Sequence, residues 1–246
     1  MSFKIVLLRS QLRSRILKEI LYLIGFRIIR DHWVYTPRLK QDSVIIDMGA
    51  NTGSFSEIII KKFKSNCFAI EANVKLFNCI DDRHLTKLNL AVTKKDGPVE
   101  FYISQNHEAS SLSNSFQNLW KTTEKQTVEG ISWNSLRQRL NLDRSEIEVL
   151  KMDIEGAELD IIDTLDEENS ANVQQITVEF HHWINPDLLE RTKQAIKKLL
   201  SSGYIAIANK ISPSEILFFK KYFKFNPYQQ LLFFIYKKLR FKLYEE

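Results

Sequence analysis

The chain has 246 residues, 44% hydrophobic and 26% charged, with two cysteines and a formal net charge of +5. That length and balance fit one sizeable domain with its own core and exclude a disordered chain. Cys67 and Cys79, twelve positions apart, give neither a disulfide framework nor a CxxC metal pair, and both are expected to be reduced and packed, as in a cytoplasmic protein.

The N-terminal stretch has basic residues scattered among its apolar positions and no small-residue cleavage site, so no signal peptide is expected. Residues 1–31 and 216–246 each carry a net charge of +5, and the 184 residues between them carry −5. Both basic ends are rich in large apolar side chains. They suit helices packed on the domain or on a second copy in a homo-oligomer, or a peripheral contact with an anionic membrane. The uncharged runs Ile20–Phe26 and Phe225–Tyr236 are too short to span a bilayer.

Between the ends, strand and helix signals alternate. "SVIIDMG" reads as a strand ending at a glycine turn, and "SFSEIIIKKF" as a helix; "NCFAIEAN" and "VKLFNCIDD" repeat that pair, and "KLNLAV" is a third strand. "PVEFYIS" and "QTVEGISW" are extended pieces around a polar loop. "IEVLKMD", a helix from near Gly156, "QQITVEF", the helix "DLLERTKQAIKKLLSSG", and the closing strands "YIAIAN" and "EILFFK" follow. This order predicts an α/β fold, a mostly parallel sheet with helices on both faces, whose ligands bind beyond the carboxyl ends of the strands.

The end of the first of these strands, "DMGANTGSF", supplies Asp47, Gly49 and Gly53 at a strand-to-helix turn, where glycine permits close ligand approach and the helix start exposes N–H groups. Glu71 ends the next strand, where a doubly wound fold places an acid on the ribose hydroxyls. The spacing is GxxxG rather than GxGxxG, and no Gly-Lys-Ser/Thr is present. A nucleoside ligand without a pyrophosphate, such as S-adenosyl-L-methionine, fits better, with Asp47 near its cationic end.

Together "VIIDMGANTGSFS", "AIEAN", "LAVTKKDGPVEFY", "SSL", "VLKMDIEGAE" and "TVEF" resemble the FkbM-type S-adenosylmethionine-dependent methyltransferases, in order, from about Ser43 to His181. The resemblance implies a Rossmann-like class I methyltransferase fold and O-methylation of a hydroxyl on a sugar, glycan or glycolipid. It leaves the ends outside: the charge distribution sets off a basic amphipathic helical segment (1–31) and a closing strand with a basic, aromatic-rich helical tail (216–246) from the methyltransferase domain (32–215). It also implies that Asp47, Gly49, Asn51 and Gly53 form the cofactor loop, continued by Ser54 and Phe55, and that Glu71, followed by Ala72, is the ribose-binding acid. Asn73 stands where a proline is common, and the Ser110–Ser111 pair has no clear role.

Methyl transfer to a hydroxyl needs positioning and a route for the proton, by a base or a divalent metal. Asp153 ends one core strand and Glu179 the next, with His181 just beyond, so the three converge as candidate ligands for Mn²⁺ or Mg²⁺; without a metal, His181 or Asp153 is the base. Glu155 is a further catalytic candidate. Glu158 suits a helix start, and Trp183 suits a sugar-facing wall. The acidic middle of the chain argues against a nucleic-acid methyltransferase, which remains the alternative together with a non-catalytic cofactor-binding module.

Overall fold

The computed structural model describes residues 3–104, 122–166, 170–183, 185–208 and 214–239. The Ser110–Ser111 pair lies outside them. The chain opens with α1 (Phe3–Ile24) and a hairpin of β1 (Phe26–Ile29) and β2 (His32–Tyr35). Arg30 and Asp31 both adopt positive φ in the two-residue turn, the geometry that matches strand twist in a tight hairpin. The boundary expected at residue 31 therefore falls inside this hairpin.

Next come β3 (Val44–Met48), α2 (Ser54–Phe63), β4 (Asn66–Ile70), α3 (Val74–Cys79) and β5 (Thr86–Leu88). After β6 (Ala91–Val92), β7 (Gly97–Ser104), β8 (Thr122–Ile131) and α4 (Trp133–Arg139), the alternation resumes with β9 (Ile147–Met152), α5 (Glu158–Thr164), β10 (Val173–Glu179) and α6 (Leu189–Ser201). β11 (Tyr204–Ala208), β12 (Glu215–Lys220) and α7 (Pro227–Leu239) complete the chain.

The main sheet has seven strands in the order β11-β12-β10-β9-β3-β4-β5. Its inner strands are parallel, and β12 runs antiparallel to both β10 and β11. The strand expected at "KLNLAV" splits at Asn89 and Leu90: β5 stays in this sheet, and β6 joins β7 and β8 in a separate three-stranded sheet. Parallel strands buried on both faces read as unbroken apolar runs, and β9, "IEVLKM", is buried at all six positions.

Alternation along β3 and β9 feeds two cores. Ile46 and Leu150 face the cluster under α4, α5 and α6, while Ile45 and Val149 face α2 and the hairpin. A third cluster joins α1, the hairpin, β12 and α7. Gln175 of β10 ties the hairpin to the sheet by accepting from the Tyr35 N–H (2.8 Å) and donating to the Tyr35 carbonyl (3.2 Å).

Phe219 is central to that third cluster, with ring centroids 5.4 Å from Phe26, 5.4 Å from Phe223 and 5.9 Å from Phe233. Phe219→Ala is expected to destabilise the protein by about 3–5 kcal/mol in urea unfolding, because the surrounding rings can close the void only in part.

Candidate active site

The loop after β3 is built for close approach. Gly49 adopts φ +74°, and a Cβ there would lie 1.7 Å from the Asp153 carbonyl oxygen, so the two loops touch through backbone alone. The N–H groups of Gly49 and Ala50 both donate to the Ile70 carbonyl. Asn51, also at positive φ, donates its N–H to Oε2 of Glu71 at 2.8 Å, and the Asn73 N–H donates to Oε1 at 2.8 Å. Both carboxylate oxygens of Glu71 are thus pinned by main chain. The Asn73 side chain accepts from the Lys75 N–H and caps α3, so the residue found where a proline is common starts the next helix.

These residues border a cavity that opens to solvent. Gly49, Asn51, Glu71 and Ala72 line it from the cofactor loops, Leu76, Leu90, Val92 and Phe101 give it an apolar wall, and Asp153, Ile154 and Glu155 line it beside Gly49. A fixed carboxylate opposite an apolar sleeve fits a nucleoside, the acid taking the ribose hydroxyls and the sleeve the base. Burial pushes the Glu71 carboxyl up to about 7 against the two N–H bonds that favour its anion.

Asp47, Gly53, Ser54 and Phe55 do not line the cavity. Asp47 is fully buried, accepts from Ser56 Oγ at 2.8 Å and lies 3.1 Å from Lys151 Nζ. Expected beside the cationic end of a cofactor, its charge is matched in this structure by a lysine inside the sheet. Gly53 backs onto Ile80, and Phe55 packs its edge against His32.

Lys151 is the pivot between the two loops. Its buried ammonium donates to the Gly49 carbonyl at 2.9 Å and lies 3.6 Å from Asp153 Oδ2. Burial disfavours the ammonium, but Asp47 and Asp153 outweigh it and hold its pKa above the usual lysine value. Burial likewise opposes the Asp153 anion, and Lys151 and His32 overcome it, leaving that carboxyl well below its ordinary range. The hairpin supplies His32, whose Nε2 is 3.6 Å from Asp153 Oδ2 and whose Nδ1 is 3.4 Å from Thr177 Oγ1.

The end of β10 leads into a helical turn at His181–Trp183. His181 is buried, with Nδ1 3.1 Å from Glu158 Oε1 and Nε2 3.2 Å from Glu155 Oε2 and 4.0 Å from Asp153 Oδ1. Burial opposes its charge, but Glu158, Glu155 and Asp153 raise its pKa to about 10. Glu158, the first residue of α5, is 1% exposed and accepts from the N–H groups of Ile154 and Gly156, so it clamps the loop as well as starting the helix. Glu155 sits at φ +54°, a left-handed conformation that non-glycine residues adopt sparingly, with its carboxyl pushed by burial to about 8.

Asp153, Glu179 and His181 each offer a donor atom, and these atoms all lie within 4.8 Å of one another. The set suits a divalent ion, two oxygens and one imidazole nitrogen, provided the ion displaces the Nε2 proton that Glu155 faces, with Glu158 holding the opposite ring nitrogen. Trp183 is 56% exposed, its ring centroid 6.4 Å from that of His181. Two residues that the sequence did not single out, His32 and Lys151, contact Asp153. Lys151 left a signal, a charge beside the carboxyl end of an otherwise mainly apolar strand, whereas nothing local marks His32.

A parallel sheet closed by one antiparallel strand, with a pinned acid beside a cavity at its carboxyl edge, is the fold of the class I S-adenosylmethionine-dependent methyltransferases. The model of the methyltransferase FkbM domain matches residues 47–206, and the chain belongs to that family. No curated protein matches it. Among solved structures it is similar to a precorrin-6y C5,15-methyltransferase from Geobacter metallireducens (15% identity, 74% of this chain and 83% of that one, TM-score 0.38). It is also similar to a fibrillarin from Aeropyrum pernix with bound S-adenosyl-L-methionine (10%, 75% and 68%, TM-score 0.38). A putative caffeoyl-CoA O-methyltransferase from Staphylococcus aureus is similar at 10% identity (85% and 83%, TM-score 0.38).

A carboxylate accepts from hydroxyls best when ionised, and burial raises the Glu71 carboxyl to about 7. Affinity for S-adenosylmethionine is expected to rise about tenfold from pH 6 to pH 8 and to fall as the carboxylate protonates below that window. Calorimetric titration checks this, with a weaker and flatter profile expected for Glu71→Gln.

Proposed function

We propose that the protein is an O-methyltransferase acting on a hydroxyl of a sugar, glycan or glycolipid, with a divalent metal held by Asp153, Glu179 and His181. The observation that carries the reading is the convergence of those three donors beside the cavity, with Glu158 orienting the imidazole from behind. The exposed Trp183 ring next to His181 supports a flat apolar acceptor such as a sugar face. The motif resemblance points to the same acceptor class.

When bound, S-adenosylmethionine supplies a methyl group on a sulfonium and the divalent ion makes the acceptor hydroxyl more acidic. The chain's own residues do the rest. Glu71 and the apolar sleeve fix the nucleoside end, so the reactive end is directed toward Asp153 and Glu155. With that cofactor bound, the acceptor oxygen would form the new C–O bond as the sulfonium's carbon–sulfur bond broke, the electron pair staying on sulfur. The hydroxyl proton passes to Glu155, which lines the cavity and lies 3.2 Å from His181. Lys151 holds Asp153 in place from within the sheet.

Asp153→Asn and His181→Ala are each expected to lower methyl transfer from labelled S-adenosylmethionine to glycan fractions by at least about a hundredfold. Both are expected to abolish Mn²⁺ binding in a calorimetric or paramagnetic-resonance titration, and His181→Ala to leave cofactor binding near the wild-type level. Full activity in chelator with no ion bound would remove the metal and leave Glu155 as a base on its own. Transfer to RNA or DNA in place of glycan would overturn the acceptor class.

A further inference from the structure

The helical layer over the β11–β12 end of the sheet has an outer face whose composition does not suit water. On its inner side α7 buries Phe233 and Tyr236 in the third core cluster. On the opposite side Tyr228, Leu231 and Phe234 are 57%, 57% and 54% exposed, and Ile235 lies beside them. Steps of three and four residues bring these side chains onto one stripe, so α7 is apolar on both sides. The adjoining helix α1 exposes Leu23 and Ile16, seven residues apart and on one face of that helix. The two helices are tied where Gln229 Nε2 donates to the Ile24 carbonyl at 2.7 Å. A helix that is apolar all round is ordinarily covered.

The charge around the stripe says by what. Lys237 and Lys238 in the last turn of α7 are exposed, and Lys238 Nζ lies 5.5 Å from the centre of the Phe234 ring. Lys221 and Lys224 stand exposed just before α7, and Arg15 and Lys18 stand exposed on α1. α7 contains no acid, and Glu19 is the one acid in residues 1–24. Long cationic side chains lay their stems along apolar surface and carry the charge outward. A second copy docking face to face would bring these cations together without a counter-charge. An anionic lipid surface accepts both features, the aromatic and aliphatic stripe at the level of the acyl boundary and the cations among the headgroups.

We propose that the outer face of α7 and α1 is a docking surface for an anionic lipid bilayer, on which the protein lies peripherally. Among the described residues no helix is long and apolar enough to cross a membrane, so the contact is with the surface. The inference stands on residues remote from the methyl-transfer site and does not depend on the acceptor.

Flotation of the full chain with phosphatidylcholine vesicles, with and without phosphatidylglycerol, tests this. Binding is expected with the anionic vesicles, falling at high salt. Lys237→Glu with Lys238→Glu is expected to weaken it at least about tenfold. Leu231→Glu with Phe234→Glu is expected to abolish it while thermal unfolding and S-adenosylmethionine binding stay at the wild-type level, since both side chains are exposed. Three results would overturn the proposal: no lipid association, association that neither double variant alters, or a concentration-dependent dimer in light scattering that Leu231→Glu dissolves in the absence of any vesicle binding.

Discussion

One buried ammonium, that of Lys151, holds the carboxyl edge of this sheet together. It sits between β3 and β9 with Asp47 on one side and Asp153 on the other, and it also donates to the Gly49 carbonyl. Charges removed from water in this way are stable only when paired and hydrogen-bonded. The pairing therefore fixes both strand ends at once. The glycine loop that leads to Glu71 and the acidic loop that carries Asp153 are positioned against each other by a single side chain.

Repulsion among the acids that follow β9 is relieved in the same manner. Asp153 is matched by Lys151 and His32, while Glu155 and Glu158 converge on the two ring nitrogens of His181. Each acid therefore has a separate task. Asp153 is the strand-end donor, Glu158 secures the loop and the imidazole, and Glu155 faces the cavity from a left-handed backbone conformation. Acids crowded beside the cavity raise the pKa of the histidine between them and bring several carboxylate oxygens close together.

Much of this was legible in the sequence because it is local. The glycine loop, the acid two residues before a helix start, and the run "VLKMDIEGAE" announce a strand, a turn and their ligands within a few residues of one another. The helix at Ser54–Phe63 and the parallel strands follow from periodicity and apolar runs. What escaped depends on distant pairing. His32 meets Asp153 across 121 positions through a hairpin whose place is set by Gln175, and no local pattern encodes that contact. Asp47 looked like a cofactor ligand because it ends the strand before the glycine loop, yet strand pairing puts it opposite Lys151. A charged residue inside a fully buried strand requires a partner, so that lysine was the one clue to Asp47 in the sequence.

The account rests on Lys151 coupling the cofactor loop to the acidic loop, and a double-variant comparison tests that most directly. Unfolding free energy and S-adenosylmethionine affinity would be measured for Lys151→Met, for Asp47→Asn and for both together. Lys151→Met alone should lose about 3–5 kcal/mol of stability, because it strands a buried carboxylate, and should lose most cofactor affinity. Adding Asp47→Asn should recover a large part of the stability but not the affinity, since the Gly49 and Asp153 contacts remain absent. A Lys151→Met protein with wild-type stability and wild-type affinity would contradict the account.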